Sequence, residues 1–240
     1  MRRLFTLLAL AAAPVQAAEI RSADACKAAI AQDPSAARKA AADWVRSAST
    51  VDAYLCEATA LRASGAVRTA AIKLTELAQQ PAITMHDRLR ADIFAEAGDL
   101  WLILEEPEFA AMSLRNARRL DPEAFGAMLP LARAEALQGN LSDARTLLDT
   151  LLMSDPDATE PRLLRAQVLR ALKEYDVATK DLATLPDVPE VQLERANLLL
   201  EQDKRSAAGI VLLDLIATHP NSAAASQARI MLLRLAEEPG

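Results

Sequence analysis

The sequence predicts an all-α chain built as a stacked array of helix pairs, and three observations carry that expectation. Ala occurs 52 times and Leu 38 times among 240 residues, whereas Gly occurs six times and aromatic residues make up 3%. Both abundant types are strong helix formers, and β-branched runs are scarce. Pro punctuates the chain at Asp121-Pro122, Asp155-Pro156 and His219-Pro220, the first two 34 residues apart and the last two 64 apart. Read backward from each Pro, small and apolar residues recur in one register.

The N-terminus reads differently from the rest. Met1, Arg2 and Arg3 precede an apolar run from Leu4 to Val15, and Ala17 and Ala18 stand before the first acid, Glu19. A basic start, a short apolar core and small residues at its end are the pattern of a secretory signal peptide over residues 1–17, with cleavage after Ala17. The core is about a dozen residues where a membrane span needs about 20, so stable insertion after cleavage is not expected. The expected location is periplasmic or secreted.

The next segment, 18–50, reads as an N-terminal helical cap, two helices divided by Asp33-Pro34, with Trp44 placed to pack on the first unit of the array. The three best-matched units run 91–124, 125–158 and 189–220. Gly98, Ala132 and Ala196 share one position, and Ala110, Ala144 and Ala208 share another. Leu114, Leu148 and Leu212 follow four residues after the second small site. Two looser units, 51–84 and 159–188, complete five. About six extra residues near Pro81 predict a longer connection, and the short fourth unit predicts a tight one near Pro186 to Pro189. Residues 221–240 form a C-terminal capping helix and tail, with Ser222 as N-cap and Ala225, Ala228, Met231, Leu232 and Leu235 as the buried stripe.

A 34-residue helix-turn-helix unit with two small sites, a turn and a closing Pro resembles the tetratricopeptide repeat. That resemblance implies a right-handed superhelical α-solenoid whose terminal faces are covered by helical caps. It also implies that the first helices of successive units line a concave groove that holds a polypeptide. By register, one row of that groove is Leu55, Ala95, Leu129, Leu163 and Leu193, and the next is Thr59, Asp99, Arg133, Gln167 and Asn197. A further row includes Arg62 and Arg170. The expected partner-binding residues are Leu129, Arg133, Leu163, Gln167, Arg170 and Asn197, suited to a segment with apolar anchors and some acidic character. The alternative for each Leu is packing between neighbouring units. Some relatives clamp a peptide carboxylate with Lys in the first row and Asn in the second. Only Asn197 matches that pattern.

Other function classes find little support. The net charge of −6 falls to about −8 once residues 1–17 are removed, which does not suit a nucleic-acid groove. No glycine pattern makes a phosphate cradle, and no nucleophile elbow exists. Two histidines, His86 and His219, are too few and too dispersed for a metal site, so no metal, cofactor or catalytic residue is expected. Cys26 and Cys56 are the only cysteines. In an oxidising compartment they are expected to pair, with about 3 to 4 kcal/mol from loop closure in the chain-entropy model, the alternative being two buried thiols. The sequence thus points to a non-enzymatic interaction scaffold in envelope or secretion assembly, with a self-associating accessory subunit as second reading and an enzyme as a distant third.

Overall fold

The computed structural model describes residues 19–237, so the expected signal segment, 1–17, lies outside the described residues. All described regular structure is helical. The chain divides into two compact units, one reaching Thr84 and one from Met85.

The first unit holds α1 (Ala23–Gln32), α2 (Pro34–Ala48), α3 (Val51–Ala63) and α4 (Val67–Gln79). Each of the first three starts on a polar cap that satisfies otherwise orphaned N–H groups. Ser22 Oγ accepts from the Ala25 N–H at 3.2 Å, and Thr50 Oγ1 from Ala53 at 3.3 Å. Asp33 ends α1 and opens α2, its Oδ1 accepting from Ser35 and Ala36 at 2.9 and 3.1 Å, with Pro34 in the first helical turn, where a missing N–H costs nothing. Ile20, Cys26, Ala37, Ala41, Trp44, Ala53, Cys56 and Ala60 form one buried cluster. Trp44 therefore packs on α3, and a Cys26–Cys56 disulfide ties α1 to α3 across it.

The second unit is a run of helix pairs: α5 (Asp87–Ile103) with α6 (Pro107–Leu120), α7 (Met128–Leu137) with α8 (Leu141–Ser154), α9 (Thr159–Ala171) with α10 (Tyr175–Ala183), and α11 (Pro189–Glu201) with α12 (Arg205–Thr218). The last helix, α13 (Ala223–Glu237), packs on α11 and α12 and starts where Ser222 Oγ accepts from Ala225 at 3.0 Å. A short 3-10 turn, Phe125–Ala127, precedes α7. His86 opens α5 by accepting from the Leu89 N–H through Nδ1 at 3.1 Å.

The small positions explain how closely the helices of a pair approach. Ala110, Ala132, Ala144, Ala166, Ala178, Ala196 and Ala208 have no exposed surface. At Gly98 a Cβ would lie 2.5 Å from Leu114 Cγ, inside contact distance, so α5 and α6 meet where only hydrogen fits.

The turns share one device. Gly65, Glu105, Gly139, Lys173 and Asp203 all have φ between 58° and 83°, at the same place in each helix pair. The next N–H reaches back five residues: Ala66 to Leu61 at 2.8 Å, Glu106 to Trp101 at 2.9, Asn140 to Glu135 at 2.9, Glu174 to Leu169 at 2.8 and Lys204 to Leu199 at 2.9 Å. This is a Schellman closure, which satisfies carbonyls at the helix end and needs a left-handed residue. Two of the five turns use glycine; the other three accept the steric cost.

Candidate interaction surface

In the second unit the first helices approach one another in sequence, α5 to α7, α7 to α9, α9 to α11 and α11 to α13. Among the described residues, no second helix packs comparably on the next second helix. Stacking that is tighter along the first helices bends the unit toward them, so they line its inner face.

The first row on that face is half-buried rather than open. Leu163 packs against the cluster of Ala166, Leu169, Ala178, Leu182, Leu185, Val191 and Leu198, and Leu193 against the one built on Ala196 and Leu212. Leu129 is likewise half-buried. Leu163 and Leu193 contribute to the wall between neighbouring pairs, because the clusters they pack against include residues of the adjoining first helix, Val191 and Leu198 on α11 and Ala224, Ala225 and Ala228 on α13.

The two arginines expected to face a partner are already engaged. Arg133 on α7 donates to Glu160 on α9 at 2.6 Å. On α9, Arg170 donates from Nε to Glu194 Oε1 at 2.6 Å and pairs with Glu201 as well, both on α11. Asn197 Nδ2 donates to the same Glu194 at 3.4 Å, and Tyr175 Oη to Glu201 at 3.5 Å. Burial pushes the Glu194 carboxyl above the usual carboxylate range, and Arg170 opposes that shift. Arg170 is thus a junction residue between the α9/α10 and α11/α12 pairs, and the acidic partner expected from its charge has a counterpart within the chain.

The same arrangement recurs at other junctions and was not legible from motifs. Arg115 on α6 makes two bonds, 2.8 and 2.7 Å, to buried Glu135 on α7, which also accepts from Asn140 Nδ2 at 2.8 Å. Arg145 on α8 reaches Glu174 at 2.6 Å. Arg165 on α9 grips Asp181 on α10 of its own pair at 2.7 and 2.6 Å and crosses the junction to Asp149 on α8 at 2.8 Å, and is held more firmly protonated chiefly by the bond to Asp181. Several of these pairs join residues 24 to 31 apart, just under one repeat. Opposite charges at that offset are the sequence signal that could have found them.

Between these junctions the inner face opens into clefts. One, about 370 Å³, lies between α7 and α9 and is lined by Ala136, Leu137, Leu141, Leu164, Val168 and Ala171 together with Arg133 and Gln167. A second, about 630 Å³, lies in the corresponding place between α11 and α13, where Asn197 meets Leu200, Ile230, Met231 and Leu235. At the intervening position, between α9 and α11, Arg170 crosses to Glu194 and Glu201. Gln167 and Asn197 therefore both stand at open clefts. One turn beyond the polar row, Ile103 is 68% exposed and Leu137 62% exposed, a pair the register placed outside the expected rows.

A Tetratricopeptide repeat family model matches residues 105–168, the stretch from the first left-handed turn of the second unit to α9. That stretch resembles the tetratricopeptide repeat, and the fold of the chain is that of a tetratricopeptide-repeat solenoid. Solved structures share its fold. A tetratricopeptide repeat protein from Parabacteroides merdae is 13% identical with a TM-score of 0.56, covering 90% of this chain and 91% of that one. PilF from Pseudomonas aeruginosa is 16% identical with a TM-score of 0.59, covering 87% of this chain and 99% of its own. YrrB, described as a TPR protein with an unusual peptide-binding site, is 16% identical with a TM-score of 0.59, covering 80% of this chain and 98% of its own. No curated protein matches the sequence. A tetratricopeptide fold supports a protein-protein interaction scaffold. Among the described residues no helix is long and apolar enough to cross a membrane.

Proposed function

We propose that this tetratricopeptide-repeat solenoid is an exported, non-enzymatic adaptor that holds a segment of another polypeptide along the inner face of its second unit, in envelope or secretion assembly. The observation that carries the reading is the pair of open clefts at equivalent places between first helices, α7 with α9 and α11 with α13. Clefts two repeats apart on one face suit an extended or helical chain that presents side chains along its length. The likeness to YrrB, whose description names a peptide-binding site, supports it. Export is supported by the apolar run after Arg2 and Arg3 and by a disulfide buried in the first unit.

The test has two arms. Fusing residues 1–25 to a reporter active only outside the cytoplasm should give activity and a new N-terminus near Ala18; a cytoplasmic, unprocessed product would reject export. Cross-linking of a captured partner should map to α7, α9, α11 and α13, and cross-links confined to the second helices would reject the groove.

Self-association is a second reading, favoured by Ile210 and Leu213 on α12 and Ile230 and Leu233 on α13, which are exposed. Light scattering on the purified chain distinguishes it: a stable dimer lost on Leu213→Ser and Leu233→Ser would support this reading, and a monomer would reject it.

A further inference from the structure

The inner face has an uneven charge balance, and the imbalance is opposite to the one its arginines imply. Arg133 has Glu160 as its partner at 2.6 Å, and Arg170 has Glu194 and Glu201. A ligand carboxylate would have to displace one of these. Asp99, on α5 and in the same row as Arg133, has no hydrogen bond or ion pair among the described residues. Arg133 thus has one paired carboxylate, Glu160, and a second, Asp99, that feels its charge without pairing. The Asp99 carboxyl is held above its ordinary range, first by withdrawal from water and then by Glu96, with Arg133 opposing. Beside it lies an apolar path: Ile103 is one turn along α5, and Leu137 leads into the α7–α9 cleft.

We infer that the α7–α9 cleft takes an aliphatic side chain of a peptide whose Lys or Arg, about four residues away, pairs with Asp99. This rests on the groove reading above and sets the chemistry of its occupant. The spacing follows from geometry: packed helices lie about 8 to 10 Å apart, so Asp99 and a cleft one and a half helices away are separated by about 12 to 15 Å. An extended chain covers that in about four residues at roughly 3.3 Å each. The cleft supplies the apolar anchor and Asp99 supplies the charge preference, because a cation can reach it without breaking an existing pair.

A random-peptide phage library selected on the full protein tests this. Enriched sequences should carry Lys or Arg about four residues from Leu, Ile, Val or Met, and basic residues should outnumber acidic ones by at least threefold over the input library. Asp99→Asn should remove the basic preference while the aliphatic preference stays. Ala171→Phe, which fills the cleft from the exposed end of α9, should abolish enrichment, with Leu137→Ser as a second cleft variant should the first fail to fold. Enrichment of acidic peptides, lost with Ala171→Phe, would overturn this inference and leave the groove reading standing. Basic enrichment that both cleft variants retain would overturn the groove reading as well. No enrichment would overturn the inference, and the cross-linking above would then decide the groove.

Discussion

Arg170 on α9 and Glu194 on α11 form an ion pair across a repeat junction, Nε to Oε1 at 2.6 Å, with the Glu194 side chain 4% exposed. The pair closes the inner face at a place where both neighbouring junctions leave a cleft. It also makes the junction electrostatically one-sided, because a buried carboxylate depends on a cation from the previous repeat.

Arg170→Met should accordingly destabilise the protein by about 3 kcal/mol, the cost of leaving a buried charge without its partner. Arg133→Met should cost less than about 1 kcal/mol, because its pair with Glu160 is exposed on both sides. The Arg170 deficit should depend on pH. Glu194 has a folded-state pKa raised above its ordinary value of 4.5, so the folded state binds its proton first as pH falls. Losing Arg170 raises that pKa further. The deficit relative to wild type should be full at neutral pH and shrink as pH falls through the raised pKa toward 4.5. Melting temperatures of both proteins between pH 7 and pH 4.5 measure it, and a deficit that grows on acidification would contradict the pairing.

Lys173→Gly should stabilise the protein by about 1 kcal/mol, since its φ of 63° is a left-handed conformation that costs an L-residue about that much and glycine nothing. The same change at Lys180, inside α10, should destabilise by a similar amount. Urea midpoints of the two variants would separate a turn effect from a general glycine effect.

Ala144→Leu and Ala208→Leu should each cost about 1 to 3 kcal/mol, because both alanines are fully enclosed between the helices of a pair. Ala217→Leu, on the exposed side of α12, should change stability by less than about 0.5 kcal/mol. Equal effects at all three would mean that the small sites do not set helix approach.

The Cys26–Cys56 bond should leave no thiol to alkylate in protein purified without reductant, and mass spectrometry should find the two peptides joined. Reduction should lower stability by about 2 to 4 kcal/mol. Quantitative alkylation of the unreduced, denatured protein would reject the bond.

The all-helical architecture was legible because it depends on features that stand in single residues at fixed intervals. A small side chain is needed wherever two helices touch, as at Gly98, Ala144 and Ala208, and Pro recurs where helices must stop. The turn residue was only half legible: Gly65 and Gly139 announce a left-handed conformation, whereas Glu105, Lys173 and Asp203 adopt it because the repeat geometry around them requires it. Partner-facing rows could be written down by register, yet register says only which side of a helix a residue occupies. Whether Leu163 meets solvent or the next helix, and whether Arg170 is open to a ligand or tied to Glu194 and Glu201, depends on distances between helices a repeat apart. The sequence alone thus determined the helix pairs, their period and their close-contact sites, since these follow from local propensity and side-chain size. Tertiary structure decided which charges are compensated and where the inner face stays open, because ion pairing falls off over a few ångströms and only the stacked helices set those separations.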